Sequence, residues 1–181
     1  WHTFLQEYPL TAQMAFITSG ERFFDRIYPH VQITPGYKEF KAHSKYRVYS
    51  LGADVASGAP SGDYSAFSVL DVTDKEKPTV CATFYQRMAP HQFAERVLQE
   101  AKKYKALVVV ESNTYGLSIL EYLVKKEYAF IFRRTAFDKI GNRWVDKLGF
   151  STNVNTRPVM LSRLHEYVEM EKLEVVDPRM Q

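Results

Sequence analysis

Cysteine is the scarcest residue in this chain: among 181 residues there is one, Cys81. A single thiol excludes an internal disulfide and any thiolate zinc cluster built from this chain alone, and it fits a reducing, cytoplasmic setting. Long apolar runs are missing as well. None approaches the ~18 residues a membrane span requires. The opening stretch WHTFLQEYPL also lacks the basic-then-apolar layout of a secretory signal. The five histidines, His2, His30, His43, His91 and His165, fall at no metal-ligand spacing and read as surface or satisfied residues. Neither sign of charge dominates: 24 Lys and Arg against 21 Asp and Glu give a net charge of +3, which permits an anionic partner without demanding one.

What is present is the balance of an ordinary globular domain, 45% hydrophobic, 14% aromatic and 25% charged. The first 44 residues, punctuated by Pro9, Gly20, Pro29, Pro35 and Gly36, read as an irregular linker or packing appendage. The tryptophan at position 1 suggests a piece of something longer. Three runs rich in aromatic and β-branched residues follow, 46–53 (YRVYSLGA), 64–72 (YSAFSVLDV) and 79–86 (TVCATFYQ), and their short connections predict an antiparallel meander. The period then changes. Phe93, Val97, Leu98 and Ala101 recur at helical spacing over 90–105, with Pro90 in the first turn. The continuous run 106–111 (ALVVVE) predicts a parallel central strand buried on both faces. A helix near 117–127 is expected to bury Leu117, Leu120, Leu123 and Val124 and to end on Lys125 and Lys126, followed by a fifth strand over 129–133 (AFIFR). A last helix, about 157–172, has Thr156 as N-cap, Pro158 in its first turn and Val159, Leu161, Leu164 and Val168 as its buried stripe. The expected order is βββαβαβα, a mixed α/β sheet flanked by helices.

Two carboxylates stand out against this pattern. Asp54 ends the first predicted strand and Glu111 the fourth, places expected to be buried or half-buried, where an unpaired charge is strongly disfavoured. If those strands are neighbours, two like charges a few ångströms apart cannot both ionise cheaply, and a shared divalent cation resolves the conflict. Hard oxygen ligands on a rigid sheet are what Mg²⁺ and Mn²⁺ prefer. A plainer reading has Asp54 capping the following turn and Glu111 paired with a lysine, and spacing alone does not choose between the two.

Longer strings do bear on the choice. QEYPLTAQMAF (6–16), GADVASGAPSGDYSAFSVLD (52–71), VVVESNTYGLSILEYL (108–123) and KLGFSTNVNTRPVMLSRL (147–164) are collinear and span nearly the whole chain. They resemble the nuclease domain of the large terminase subunit of tailed double-stranded DNA phages, within the ribonuclease H-like (RNase H-like) superfamily. The resemblance implies a linker or appendage from the ATPase side over 1–44 and an RNase H-like nuclease domain over 45–181. It implies a metal-dependent endonuclease that cuts concatemeric duplex viral DNA during genome packaging. Asp54 and Glu111 are then the first two catalytic metal ligands of a two-metal Mg²⁺ or Mn²⁺ site. The partners it implies are duplex DNA, the ATPase domain of the same polypeptide, the portal and the small terminase subunit, in the host cytoplasm and not in the mature virion. Two departures matter. No phosphate-cradling G-x-x-x-x-G-K-[ST] string occurs among the eight glycines, so the chain is not expected to be an ATPase. The family's third acidic position is expected beyond Gln181, on a last catalytic helix, and Asp177 is not taken as its substitute.

Around the acids, Gly58 and Gly62 keep the connection after the first strand slim enough for a DNA backbone, although a turn explains them equally well. Asp63 reads first as a turn residue and second as an acid standing behind the metal ligands. Arg133, Arg134, Lys139, Arg143, Lys147 and Arg157 form a basic stretch suited to phosphates rather than bases. Trp144 is expected to be a packing residue. The rival readings are a catalytically weak or silent DNA-binding or motor-docking module, and another RNase H-like nuclease of resolvase or integrase type.

Overall fold

Strand residues that alternate between buried and exposed can cover one face of a sheet with helices and leave the other open, and this alternation organises the chain. The structure, a computed structural model, describes residues 34–138 and 140–174. In chain order these form β1 (Gly36–Glu39), β2 (Tyr49–Asp54), β3 (Ser65–Asp71), β4 (Thr79–Gln86), α1 (Pro90–Tyr104), β5 (Leu107–Val110), α2 (Thr114–Lys125), β6 (Arg133–Asp138), β7 (Arg143–Leu148) and α3 (Thr156–Glu169). The main sheet has the order β1-β4-β3-β2-β5. All its pairs are antiparallel except β2 with β5. The expected meander and the parallel fourth strand are therefore both present.

Helix α1 explains why one face is closed. Its stripe of Phe93, Ala94, Val97, Leu98, Ala101 and Tyr104 is buried against Leu51, Phe67, Val69 and Phe84. Phe67 and Phe84 stack at 5.1 Å, and Phe93 lies about 6 Å from each. Burying one such side chain contributes about 1.5–3 kcal/mol. Strand β4 runs through the middle of this core. Between Val69 and Leu70 the β3–β4 register slips, so that Ala82 and Val80 are paired and Cys81 is left over as a bulge. The Cys81 carbonyl is taken up by the Phe40 and Lys41 N–H groups at 2.8 and 3.1 Å. Its side chain is 1% exposed, and burial pushes the thiol's pKa up.

Several expectations need correction. Gly36–Glu39 lies within the stretch expected to be irregular, yet it forms the sheet-edge strand β1, held by Lys103 Nζ at 2.7 Å from Glu39 and by the buried Tyr104 hydroxyl at 2.8 Å. The run 106–111 is not buried on both faces: Val108 and Val110 are buried while Leu107 is exposed and Val109 half-buried, because among the described residues helices cover one face. Helix α2 buries Gly116, Ile119, Leu120 and Leu123 and leaves Leu117 and Val124 in solvent. Its start at Thr114, three residues earlier than expected, brings Gly116 into the buried stripe. Residues 129–133 form no full strand. Ile131 bridges to Val108 in parallel, and the chain then enters a separate β6–β7 ribbon that the sequence reading missed. Finally, α3 has no buried residue, and Val159 and Leu164 of its expected stripe are exposed. Polar contacts at its C-terminal side hold it instead: the Tyr167 hydroxyl donates to Lys75 O at 2.9 Å, and Glu174 pairs with Thr79 and with Lys41 Nζ at 2.9 Å.

Candidate functional site

The parallel pairing of β2 and β5 runs from Ser50 opposite Leu107 to Ala53 opposite Val110. Continued by one step beyond its last pair, this register would set Asp54 beside Glu111, at the strand spacing of about 4.8 Å. Residues paired in register share a face. The two carboxylates therefore lie on the open face with Ser50, Gly52 and Val109, at the C-terminal ends of their strands, where α/β sheets bind ligands. Glu111 is half-buried as expected, but Asp54 is exposed, because β2 ends there and the following connection turns away. The plainer pairing is not seen either. Among the described residues neither acid forms an ion pair, and Ser65 Oγ, not Asp54, accepts the Ala56 N–H in that connection at 3.1 Å.

Glu111 is held from three sides. Phe150 forms a parallel bridge to it, donating to Val110 O at 2.8 Å and accepting from Ser112 N at 2.7 Å. This contact depends on Gly149, whose φ of +76° and close approach to Val110 O and Leu120 leave no room for a Cβ. On the other side Gly116, in the first turn of α2, lies against the Glu111 carbonyl. Asn113 joins helix and carboxylate: its Oδ1 accepts Gly116 N at 2.9 Å as the N-cap, and its Nδ2 donates to Glu111 Oε2 at 3.4 Å. Asn113 was missed by sequence reasoning, although an Asn immediately ahead of a helical period was its available signal.

The remaining candidates divide. Asp63 is exposed in the β2–β3 connection at the same end of the sheet, and no contact among the described residues joins it to the pair. Lys139 and Asp177 lie outside the described residues. Arg157 is exposed in the first turn of α3. The other four basic residues are on the β6–β7 ribbon, whose register separates them: Arg134, Lys147 and Arg143 share one face, with Asp138, whereas Arg133 is on the other with Phe137 and Trp144. The Nε of Arg134 is buried without a hydrogen-bond partner. Trp144 is not a packing residue of the core. It is 70% exposed and meets Phe137 edge-on at 5.3 Å, because the ribbon is paired only with itself.

Two hard carboxylates at neighbouring strand ends, without an ion pair among the described residues, suit a hard divalent ion whose other positions are filled by water or phosphate. They are one ligand short of a cluster: among the described residues no three His, Cys, Asp or Glu side chains converge as a metal site. No described helix is long and apolar enough to cross a membrane. No protein-family model matches the chain, and no curated protein matches it by sequence. Its fold is similar to that of the large terminase nuclease from thermophilic phage G20c. For the crystal with bound magnesium the identity is 17% and the TM-score 0.56, over 80% of this chain and 66% of that one. The zinc-bound form gives 19% and 0.54 over 80% and 72%, and the cobalt-bound form 17% and 0.57 over 80% and 65%. The chain thus spans about two thirds of the length of these structures. At such identity the likeness is one of architecture: the chain has a mixed α/β fold similar to that of the G20c large terminase nuclease.

Proposed function

We propose that this chain is a divalent-metal-dependent endonuclease that cuts concatemeric duplex viral DNA during genome packaging. The observation that supports the reading is the parallel β2–β5 register, whose continuation by one step would bring Asp54 and Glu111 together, with no Lys or Arg paired to either among the described residues. These two side chains would hold Mg²⁺ or Mn²⁺, and an ion bound there supplies Lewis-acid stabilisation of phosphoryl charge and a more acidic water. The residues' own work is positional. Asn113 steers the Glu111 carboxylate while capping α2, and the Phe150 bridge fixes the backbone beneath it. Arg134, Arg143 and Lys147 neutralise backbone phosphates from one face of the ribbon, with Arg133, Lys139 and Arg157 as further phosphate contacts in this reading. Phosphate contacts position DNA without reading its sequence, which suits cutting with little base preference.

A third acidic ligand, from outside the described residues, completes a two-ion site in this reading, with Asp63 behind it. The wider setting is a packaging motor in the host cytoplasm, with an ATPase domain in the same polypeptide and the portal and small terminase subunit as partners. A second reading, a DNA-binding module that cuts weakly or not at all, is favoured by the lack of a third converging ligand among the described residues. Nicking of supercoiled plasmid in Mn²⁺ and Mg²⁺ separates the two. Nicking by the wild-type chain that is lost in both Asp54→Asn and Glu111→Gln supports the nuclease. Binding without nicking, or nicking indifferent to both changes, rejects it.

A further inference from the structure

We propose that Arg87, held flat on a stack of Tyr64 and Tyr85, is a seat for a DNA backbone phosphate flanking the one at Asp54 and Glu111. The inference rests on the nuclease reading for its substrate but not for its geometry. Tyr64 and Tyr85 are nearly parallel, 4.2 Å apart at 11°, and the Arg87 guanidinium lies 4.3 Å above the Tyr64 ring. Arg87 Nε donates to Gly62 O at 2.7 Å, so the plane of the group is fixed by a hydrogen bond at one edge and a ring beneath. That bond leaves the two terminal nitrogens over. Arg87 is exposed, and among the described residues no carboxylate pairs with it, neighbouring Asp63 included. A stacked, weakly hydrated guanidinium with free donors in a fixed fork is the arrangement that suits a phosphate.

Its position follows from the register. Tyr85 pairs with Ala66, and Ala66 pairs with Asp54, so Tyr85, Ala66, Asp54 and then Glu111 form one row on one face of the sheet. Two strand spacings separate Tyr85 from Asp54, about 10 Å. That distance falls between the ~6 Å and ~12 Å widths of the two DNA grooves. In this proposal a duplex laid across the acid pair sets a neighbouring backbone phosphate near the stack. The ligand is a phosphate and not a base, because the group presented is a guanidinium with terminal N–H donors, while the Tyr64 ring is already engaged by Tyr85 and by Arg87.

The alternative is that Arg87 merely ties down the β2–β3 connection, and the two roles have different signatures. Binding of a short labelled duplex without added metal is measured over a range of salt, alongside thermal unfolding. Arg87→Gln should weaken binding several-fold and lower the slope of log K against log salt by about 0.9, one phosphate's worth, with little change in melting temperature. Arg87→Lys should keep the slope while binding more weakly than wild type, since a lysine keeps the charge and loses the planar stack. Tyr64→Leu should also keep the slope and raise Kd, and it carries the test should Arg87→Gln not fold. A lowered melting temperature with an unchanged slope in Arg87→Gln, or an unchanged Kd in Tyr64→Leu, overturns the proposal. The nuclease reading is judged apart from this by Asp54-dependent nicking. A slope change without nicking leaves the seat standing alone, and Asp54-dependent nicking without a slope change removes only the seat.

Discussion

Replacing Gly116 by alanine tests how the fold holds the candidate site. In the interior of an isolated helix this change stabilises by about 1 kcal/mol, since glycine is the poorer helix former. Here the added Cβ would fall far inside van der Waals contact distance of the Glu111 carbonyl oxygen and 3.1 Å from Asn113 Oδ1, the capping atom. The obstacle on the strand side is backbone, already bridged to Phe150, so it has little freedom to retreat. Overpacking of this kind costs roughly 1–3 kcal/mol, and loss of the Asn113 cap about 1 more. Set against the helix gain, the net destabilisation is about 1–3 kcal/mol. For a unit of this size each kcal/mol lowers Tm by about 2–4 °C, so a fall of roughly 2–12 °C is expected. Activity should fall further than stability, because moving the Glu111 backbone by about 1 Å can cost 100-fold in rate. Gly52→Ala is the control: it lies on the same face of β2 with nothing within 4 Å of its added Cβ, and it should be neutral. Thermal unfolding and nicking rate, measured on both variants, decide the matter. A stabilised and fully active Gly116→Ala protein would refute the close α2–β5 approach on which the site's geometry depends.

The acid pair has its own test in calorimetric titration of Mn²⁺: Asp54→Asn and Glu111→Gln should each lose metal affinity and cleavage while melting normally, and unchanged affinity in both sinks the assignment. The wild-type chain should cut better with Mn²⁺ than with Mg²⁺, because Mg²⁺ demands near-ideal octahedral geometry and two carboxylates do not impose it; equal rates in the plasmid assay would refute this. Neutralising Arg134, Arg143 and Lys147 together should weaken binding to all duplex sequences alike and flatten its salt dependence, and a loss confined to one sequence would mean base readout. The hydrogen bond from Lys103 holds the Glu39 carboxyl below its ordinary 4.5. Its contribution is thus present above that value and lost as pH falls through the depressed folded pKa, so Glu39→Gln should flatten the acid limb of stability measured by urea unfolding.

The meander, α1 and the parallel β5 were legible because each rests on a local signal: β-branched and aromatic runs with short connections, the 3.6 period of the Phe93–Ala101 stripe, and a continuous apolar run after a helix, although among the described residues that run is covered on one face only. Asp54 and Glu111 were legible because a carboxylate closing an apolar run is anomalous wherever it lies. What escaped were features set by partners distant in sequence. Strand β1 has four residues, GYKE, with no alternation to read, and it exists because β4 offers an edge and Lys103 and Tyr104 hold Glu39. The ribbon's strands, RRTAFD and RWVDKL, carry charges on both faces, so their sequence resembles a basic loop. The apolar stripe of α3 was periodic enough to predict burial, but burial needs a surface to dock on, and among the described residues α3 is tied at its end instead. Arg87 gave no signal, since its partners Tyr64 and Tyr85 come together only through the β3–β4 pairing.

The bulge in β4 makes the protein its own clock. Cys81, the single thiol of the chain, is 1% exposed in a strand flanked by β1 and β3. An alkylating reagent in native buffer can reach it only when the core around β4 opens. The labelling rate at saturating reagent then counts openings of the core around β4, with no probe to engineer and no other cysteine to confuse the signal. Following that rate as DNA or Mn²⁺ is added would reveal whether occupation of the open face is felt by strands two positions away.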